Sequence, residues 1–185
     1  MAHPLPDKPS IAVLPFDNMS EDTGQAYFSD GITEDLITDL SQISGLFVIS
    51  RNSTFTYKGK AVKIRKVAEE LGVRYILEGS VRKAEDNVRI NAQLIDATTG
   101  GHVWAKRYDG KLVDVFALQD QITQKIVAAM KVKLSPDEQQ QAESGDTVNV
   151  QAYDALLKGW GHHLRFTPED FVKAVTYFKE ATELD

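Results

Sequence analysis

Residues 75–108, YILEGSVRKAEDNVRINAQLIDATTGGHVWAKRY, decide the fold. In the middle of this stretch Val88, Ile90, Ala92 and Leu94 alternate with Arg89, Asn91 and Gln93. Period two sends the two sets to opposite faces of a strand, so this sheet is buried on one side and wet on the other. Asp86-Asn87 and Thr98-Thr99-Gly100-Gly101 are turn sequences. The stretch therefore predicts three consecutive strands, Tyr75–Lys83, Val88–Asp96 and His102–Tyr108, joined as an antiparallel meander.

Upstream the pattern differs. Ile11–Phe16 (IAVLPF) and Leu46–Ser50 (LFVIS) are short and almost wholly apolar, as strands covered on both faces are. Pro15 places the first at a sheet edge or ends it. Between them a helix is predicted over about Gln25–Ile43, with Phe28, Ile32, Leu36, Ile37, Leu40 and Ile43 on one side and Ser44-Gly45 as its stop. Arg51–Gly59 reads as an irregular polar-aromatic loop. Ala61–Leu71 reads as a second helix, with Val62, Val67, Ala68 and Leu71 inward and Gly72 closing it. Strand, helix, strand, helix implies parallel strands joined by right-handed crossovers.

Downstream of the meander a long helix is predicted over Val113–Leu134, with Phe116, Ile122, Ile126, Met130 and Leu134 on one stripe. Ser135–Asn149 is polar and rich in glutamine and acid. Two helices follow, and on the second Phe171, Ala174, Phe178 and Ala181 share a face. The organisation expected is a linker over 1–9, an α/β domain with a mixed sheet over 10–140, a linker over 141–150 and a helical hairpin over 151–185.

Composition narrows the function classes. Of 185 residues, 42% are hydrophobic and 26% charged, as in soluble globular proteins. A net charge of −6 argues against a nucleic-acid footprint. The basic run Lys58–Lys66 is followed at once by Glu69 and Glu70 and reads as a solvated helix side. The absence of cysteine excludes disulfides, zinc-thiolate centres and thiol catalysis. No apolar stretch approaches the roughly 18 residues of a membrane span. The first ten residues lack the apolar segment of a secretion signal and read as a proline-rich linker.

No catalytic constellation emerges. His162 and His163 are adjacent, so on a helix they diverge and share a metal poorly. The loop Asp17–Gly24 carries one glycine and three acids and would repel phosphate, so no nucleotide, metal or other cofactor is expected. Asp30 and Glu34 stand one helical turn apart without a partner for acid-base work. The structural reading there has Asp30-Gly31 ending one short helical piece, with Thr33 or Asp30 capping the next. In an open α/β sheet, ligands gather beyond the carboxyl ends of the strands. Asn18, Ser20, Arg51, Asn52 and Ser53 would meet there, and they form the candidate ligand site. Trp104 and Tyr108 share a face of the last meander strand, as core against the long helix or as an aromatic contact surface.

Taken together, PSIAVLPFDNMS, YFSDGITEDLITDLS, LFVISRNSTFTYKGK, LGVRYILEGSVRK, RINAQLIDATTGGHVWAKRYD and VFALQDQIT over residues 9–134 resemble the TolB-like domain of bacterial signalling proteins. Residues from about Gln151 are similar to the start of a tetratricopeptide (TPR) array, with Arg165–Glu169 as a widened inter-helix turn. This resemblance implies a three-layer, Rossmann-like α/β fold like the N-terminal domain of TolB, without an established catalytic residue. It implies a place after a class III adenylate/guanylate cyclase domain. In close relatives the domain instead follows a winged-helix domain and a membrane span. The function expected is a non-catalytic regulatory module that meets protein partners through its helical repeats. The alternative is a small-ligand sensor of a membrane-anchored transcription regulator. A cytoplasmic location goes with the first and a periplasmic one with the second. Because a lone repeat cannot bury its own apolar face, Trp160, Phe166, Val175 and Phe178 are expected to form an interaction surface and to drive self-association.

Overall fold

The computed structural model describes residues 5–132 and 149–184. Its sheet contains β1 (Ser10–Val13), β2 (Asp17–Asn18), β3 (Phe47–Val48), β4 (Tyr75–Ala84), β5 (Asn87–Asp96) and β6 (Gly101–Lys111). The order is β3-β1-β4-β5-β6, with β2 beside β4 beyond the end of β1. β1 runs parallel to β3 and to β4, whereas β4, β5 and β6 pair antiparallel. The expected mixed sheet with a meander is present. β1 stops at Val13, before Pro15, and lies inside the sheet rather than at its edge.

The helices are α1 (Ala26–Ser41), α2 (Arg51–Thr54), α3 (Ile64–Leu71), α4 (Val115–Ala129), α5 (Val150–His163) and α6 (Pro168–Leu184). Three local readings need correction. α1 runs unbroken through Asp30-Gly31. Thr33 caps nothing there: its hydroxyl donates to the Ser29 carbonyl at 2.8 Å and accepts from the Phe16 N–H at 3.0 Å. The segment after β3 is not irregular, because α2 passes into a 3-10 turn over Phe55–Tyr57. α3 starts at Ile64, so Val62 lies outside it and is 36% exposed. Leu134 and most of the expected Ser135–Asn149 linker lie outside the described residues.

Two apolar clusters flank the sheet. The larger joins Leu77, Val81, Ile90 and Leu94 to Ile32, Leu36, Ile122 and Ile126, and includes Val150, Tyr153 and Leu157 of α5. The smaller lies under α3, where Val67 and Ala68 meet Ala12, Leu14 and Ile76. Each fully buried Leu or Ile contributes roughly 1.5–3 kcal/mol, so the larger cluster dominates. Beyond α3 the second sheet face is solvated. There the Gln93 amide donates to Glu78 at 2.6 Å and the Asn91 amide to the Ser80 hydroxyl at 3.1 Å.

Candidate functional site

Of the five candidate ligand residues the structure joins Asn18 to Ser20, gives Arg51 and Ser53 partners outside the set, and leaves Asn52 exposed. Asn18 and Ser20 close the Asp17–Gln25 loop onto β4. The Asn18 amide donates to the Asp22 carbonyl at 3.1 Å and its oxygen accepts from the Ser20 N–H at 3.0 Å. The Ser20 hydroxyl accepts from the Lys83 N–H at 2.9 Å. Arg51 opens α2 with Nε 3.1 Å from a Glu34 carboxylate oxygen and its guanidinium 3.9 Å from the centre of the Phe55 ring. Ser53 Oγ lies 3.3 Å from Ser50 Oγ, and Asn52 is exposed. Lys58 pairs with Asp30. Asp30 and Glu34, one turn apart on α1, therefore fasten the 51–58 segment. Among the described residues no hydrogen bond or ion pair joins Asn18 and Ser20 to Arg51, Asn52 or Ser53.

A depression of about 880 Å³ lies elsewhere, over the solvated sheet face. Met19, Lys60, Glu78, Ser80, Gln93 and Arg107 are among its lining residues. One wall is steadied by Tyr57, whose hydroxyl donates to Glu70 at 2.6 Å. That bond, then burial and the Glu70 charge, push the phenol up to about 12. Sequence reasoning passed over this groove, although the polar half of the period-two pattern, Asn91 and Gln93, forms its floor.

The hairpin surface is more apolar. Trp160, Phe166 and Val175 are 47%, 71% and 52% exposed. Phe178 is half-buried: its ring lies 5.6 Å from Trp160 and against Gly159, where a Cβ would come within 2.5 Å of it. His163 sits among Trp160 and Phe171 at 5.4 Å from each ring centre. Phe171, Val172 and Leu164 extend the exposed ridge. The spacing of Phe171, Ala174, Phe178 and Ala181 on one face holds, but the two alanines are buried while Phe171 is 40% exposed.

The opposite side of α5 enters the larger core cluster and carries engaged polar groups beside it. The Tyr153 hydroxyl donates to Asp35, and the Gln119 amide donates to the same carboxylate at 2.8 Å. Burial pushes the Asp35 carboxyl above its ordinary value, against these two bonds, and the Glu34 charge adds to the rise. Asp154 accepts from Lys83 at 2.7 Å and from the Tyr27 hydroxyl at 3.0 Å, and pairs with Lys158 at 2.8 Å. Burial works to raise the Asp154 carboxyl, but the bonds from Lys158 and Lys83 hold it below the usual range. Among the described residues no group of three His, Asp or Glu is placed to hold a metal, and no helix is long and apolar enough to cross a membrane.

Residues 7–125 match the family described as the HilA/YgeH-like transcriptional regulator, second domain. A protein of Rhizobium meliloti (strain 1021) named "Putative adenylate cyclase 3" is 58% identical over 181 residues, covering 98% of this chain. The chain spans 31% of that relative's length. TolB from Acinetobacter baumannii is similar in fold, with a TM-score of 0.52 and 18% identity over 70% of this chain and 30% of its own. Lipoprotein GNA1162 from Neisseria meningitidis has a TM-score of 0.47 and 21% identity, over 68% of this chain and 99% of its own.

Proposed function

Because the chain belongs, over residues 7–125, to the family of HilA/YgeH-like transcriptional regulator second domains, we propose that it is a non-catalytic regulatory and protein-interaction module of a larger bacterial signalling protein. In this reading residues 10–140 are a TolB-like domain and 151–185 a TPR-like hairpin. They follow a class III adenylate/guanylate cyclase domain in the cytoplasm. The likeness to a longer relative named as an adenylate cyclase supports the setting. The observation that carries the interaction role is the exposed ridge of Trp160, Phe166 and Val175. An apolar patch of this kind marks a contact surface. The module takes no cofactor, binds no nucleic acid, and meets protein partners or a second copy through that ridge.

The test has two arms. The chain alone should turn over neither ATP nor GTP, and saturable turnover of either would defeat the reading. In the parent protein, Phe166→Ser with Val175→Ser should change cyclic-nucleotide synthesis at unchanged circular dichroism. Identical synthesis would remove the ridge from the mechanism.

The match to transcriptional regulators favours a second reading, a small-ligand sensor in the periplasm of a membrane-anchored regulator. Its site would be Asn18, Ser20 and Arg51–Ser53. Binding there raises the melting temperature according to RT ln(1 + [L]/Kd). Absence of any shift across a metabolite panel, with Arg51→Ala behaving as wild type, would exclude it.

A further inference from the structure

Helix α5 has two contact faces. Val150, Tyr153 and Leu157 recur at helical spacing and belong to the core between the sheet and α1. Gly159 faces α6 instead, against the Phe178 ring. The α/β domain offers the first face a shaped seat. Gly31, in mid-α1, lies against Leu157, and a Cβ there would stand 2.4 Å from a Leu157 methyl. Gly161 of α5 lies against Tyr27 of α1, where a Cβ would stand 2.9 Å from the Tyr27 Cβ. Glycine weakens a helix interior. Its occurrence in both helices at their closest approach is explained by the helix opposite.

Polar contacts seal the rim. Asp154, with a side chain 16% exposed, is held by Lys83, whose side chain is 11% exposed, and by Tyr27. Tyr153, 7% exposed, reaches Asp35 of α1 and lies 3.3 Å from Gln119 of α4. A repeat helix merely tethered to the domain would leave these groups to water. Here they are matched to β4, α1 and α4, although the family match ends at residue 125.

We propose that α5 is the docked helical partner of the α/β domain. A socket of α1, α4 and Lys83 receives Val150, Tyr153, Asp154 and Leu157, so the hairpin keeps one orientation and turns with α1. This is independent of the regulatory reading above, since it concerns what holds the hairpin and not what the hairpin meets.

The test is made on the full chain with a specific protease site introduced between residues 138 and 144. A dye is placed on a cysteine introduced at Thr182, the chain having no cysteine of its own. After cleavage the hairpin piece should co-elute with the α/β piece at micromolar concentration and leave only on dilution, followed by anisotropy. Leu157→Ala should weaken the complex at least about thirty-fold, as loss of a buried leucine does. Asp154→Asn should weaken it about tenfold. Lys173→Ala, exposed on α6 and outside the apolar ridge, should leave it unchanged. Both weakening changes lie in the released piece, so folding of the α/β piece is preserved and is checked by circular dichroism. Separation of the wild-type pieces at micromolar concentration would overturn the proposal, as would Leu157→Ala and Asp154→Asn complexes as tight as wild type.

Discussion

Replacing Tyr153 with Phe removes one oxygen from a nearly closed site and leaves Asp35 with the Gln119 amide at 2.8 Å. A hydrogen bond to a charged group contributes about 1.5–3 kcal/mol, and one between neutral groups about 0.5–1.5. The loss should therefore depend on whether Asp35 carries its charge. Asp35 is raised above its ordinary value by burial, while the Tyr153 and Gln119 bonds pull it back. For a raised carboxyl, the stability contributed by the protonated form is complete below the unfolded value. It is lost as pH rises through the folded value. Without the Tyr153 donor that folded value climbs further. The gap between wild type and variant thus opens as pH passes from the wild-type folded value to the variant's, and stays open above both. Urea denaturation across a pH series should give a loss of about 2 kcal/mol at the alkaline end, falling toward about 1 as Asp35 becomes protonated. In an Asp35→Asn background the same change should show no pH dependence, because the titrating partner is gone. A loss under about 0.5 kcal/mol at pH 8, or one equal at every pH, would refute a carboxylate held by this phenol.

Further expectations concern packing, ion pairs and assembly. Gly79→Ala would place a Cβ 2.2 Å from the Asn91 carbonyl oxygen and 2.6 Å from the Phe16 ring. Since backbone cannot yield as a side chain does, a loss of about 2–3 kcal/mol is expected in urea denaturation, and one under about 1 would show that the strands separate freely. Lys83→Met should cost about 2 kcal/mol, because it takes one charged donor from the largely buried Asp154 and leaves it Lys158 and Tyr27. Arg74→Gln should cost under about 1, because the Arg74 side chain facing Asp96 is 49% exposed; equal losses would contradict the burial argument. Phe166→Ser with Val175→Ser should lower the association seen by sedimentation at high concentration, whereas a strictly monomeric wild type would remove the ridge as a self-contact.

The α/β class was readable wherever one residue pattern implies one environment. Val88 to Leu94 alternates because its two faces meet different media, and β5 is where that alternation placed it. The apolar run near Ile11 marked a strand inside the sheet with both faces covered, whereas the run near Phe47 forms the edge strand β3, where Phe47 is 44% exposed because no strand lies beyond it. The elements that escaped depend on distant partners. β2 is Asp17 and Asn18, residue types depleted in strands, and it pairs with Ser80 and Val81. α2 is Arg-Asn-Ser-Thr, in which Asn, Ser and Thr are poor helix formers, and it is held by the fully buried Thr54 and by the Arg51–Glu34 pair. The candidate ligand residues were chosen as polar groups beyond strand ends. In the structure Asn18, Ser20 and Arg51 fasten loops through their side chains.

Gly31 shows most plainly why a local reading stops short. In isolation, glycine after an acid in a helix suggests a break, since it weakens helix interiors. Its actual cause is Leu157, more than a hundred positions away, and no local period contains that information. Once that contact is known, the surrounding sequence sorts itself by angle around α1. Tyr27, Gly31 and Asp35, at four-residue steps, all touch α5. Asp30 and Glu34, also four apart and rotated about 100° from their neighbours, hold Lys58 and Arg51. The stretch YFSDGITED thus interleaves two contact sets on one helix. A substitution at Gly31 or Asp35 should loosen the hairpin while sparing the 51–58 segment, and one at Asp30 or Glu34 should do the reverse. Amide hydrogen exchange reads the two segments separately, and equal loosening of both by either class would show that α1 does not divide its work in this way.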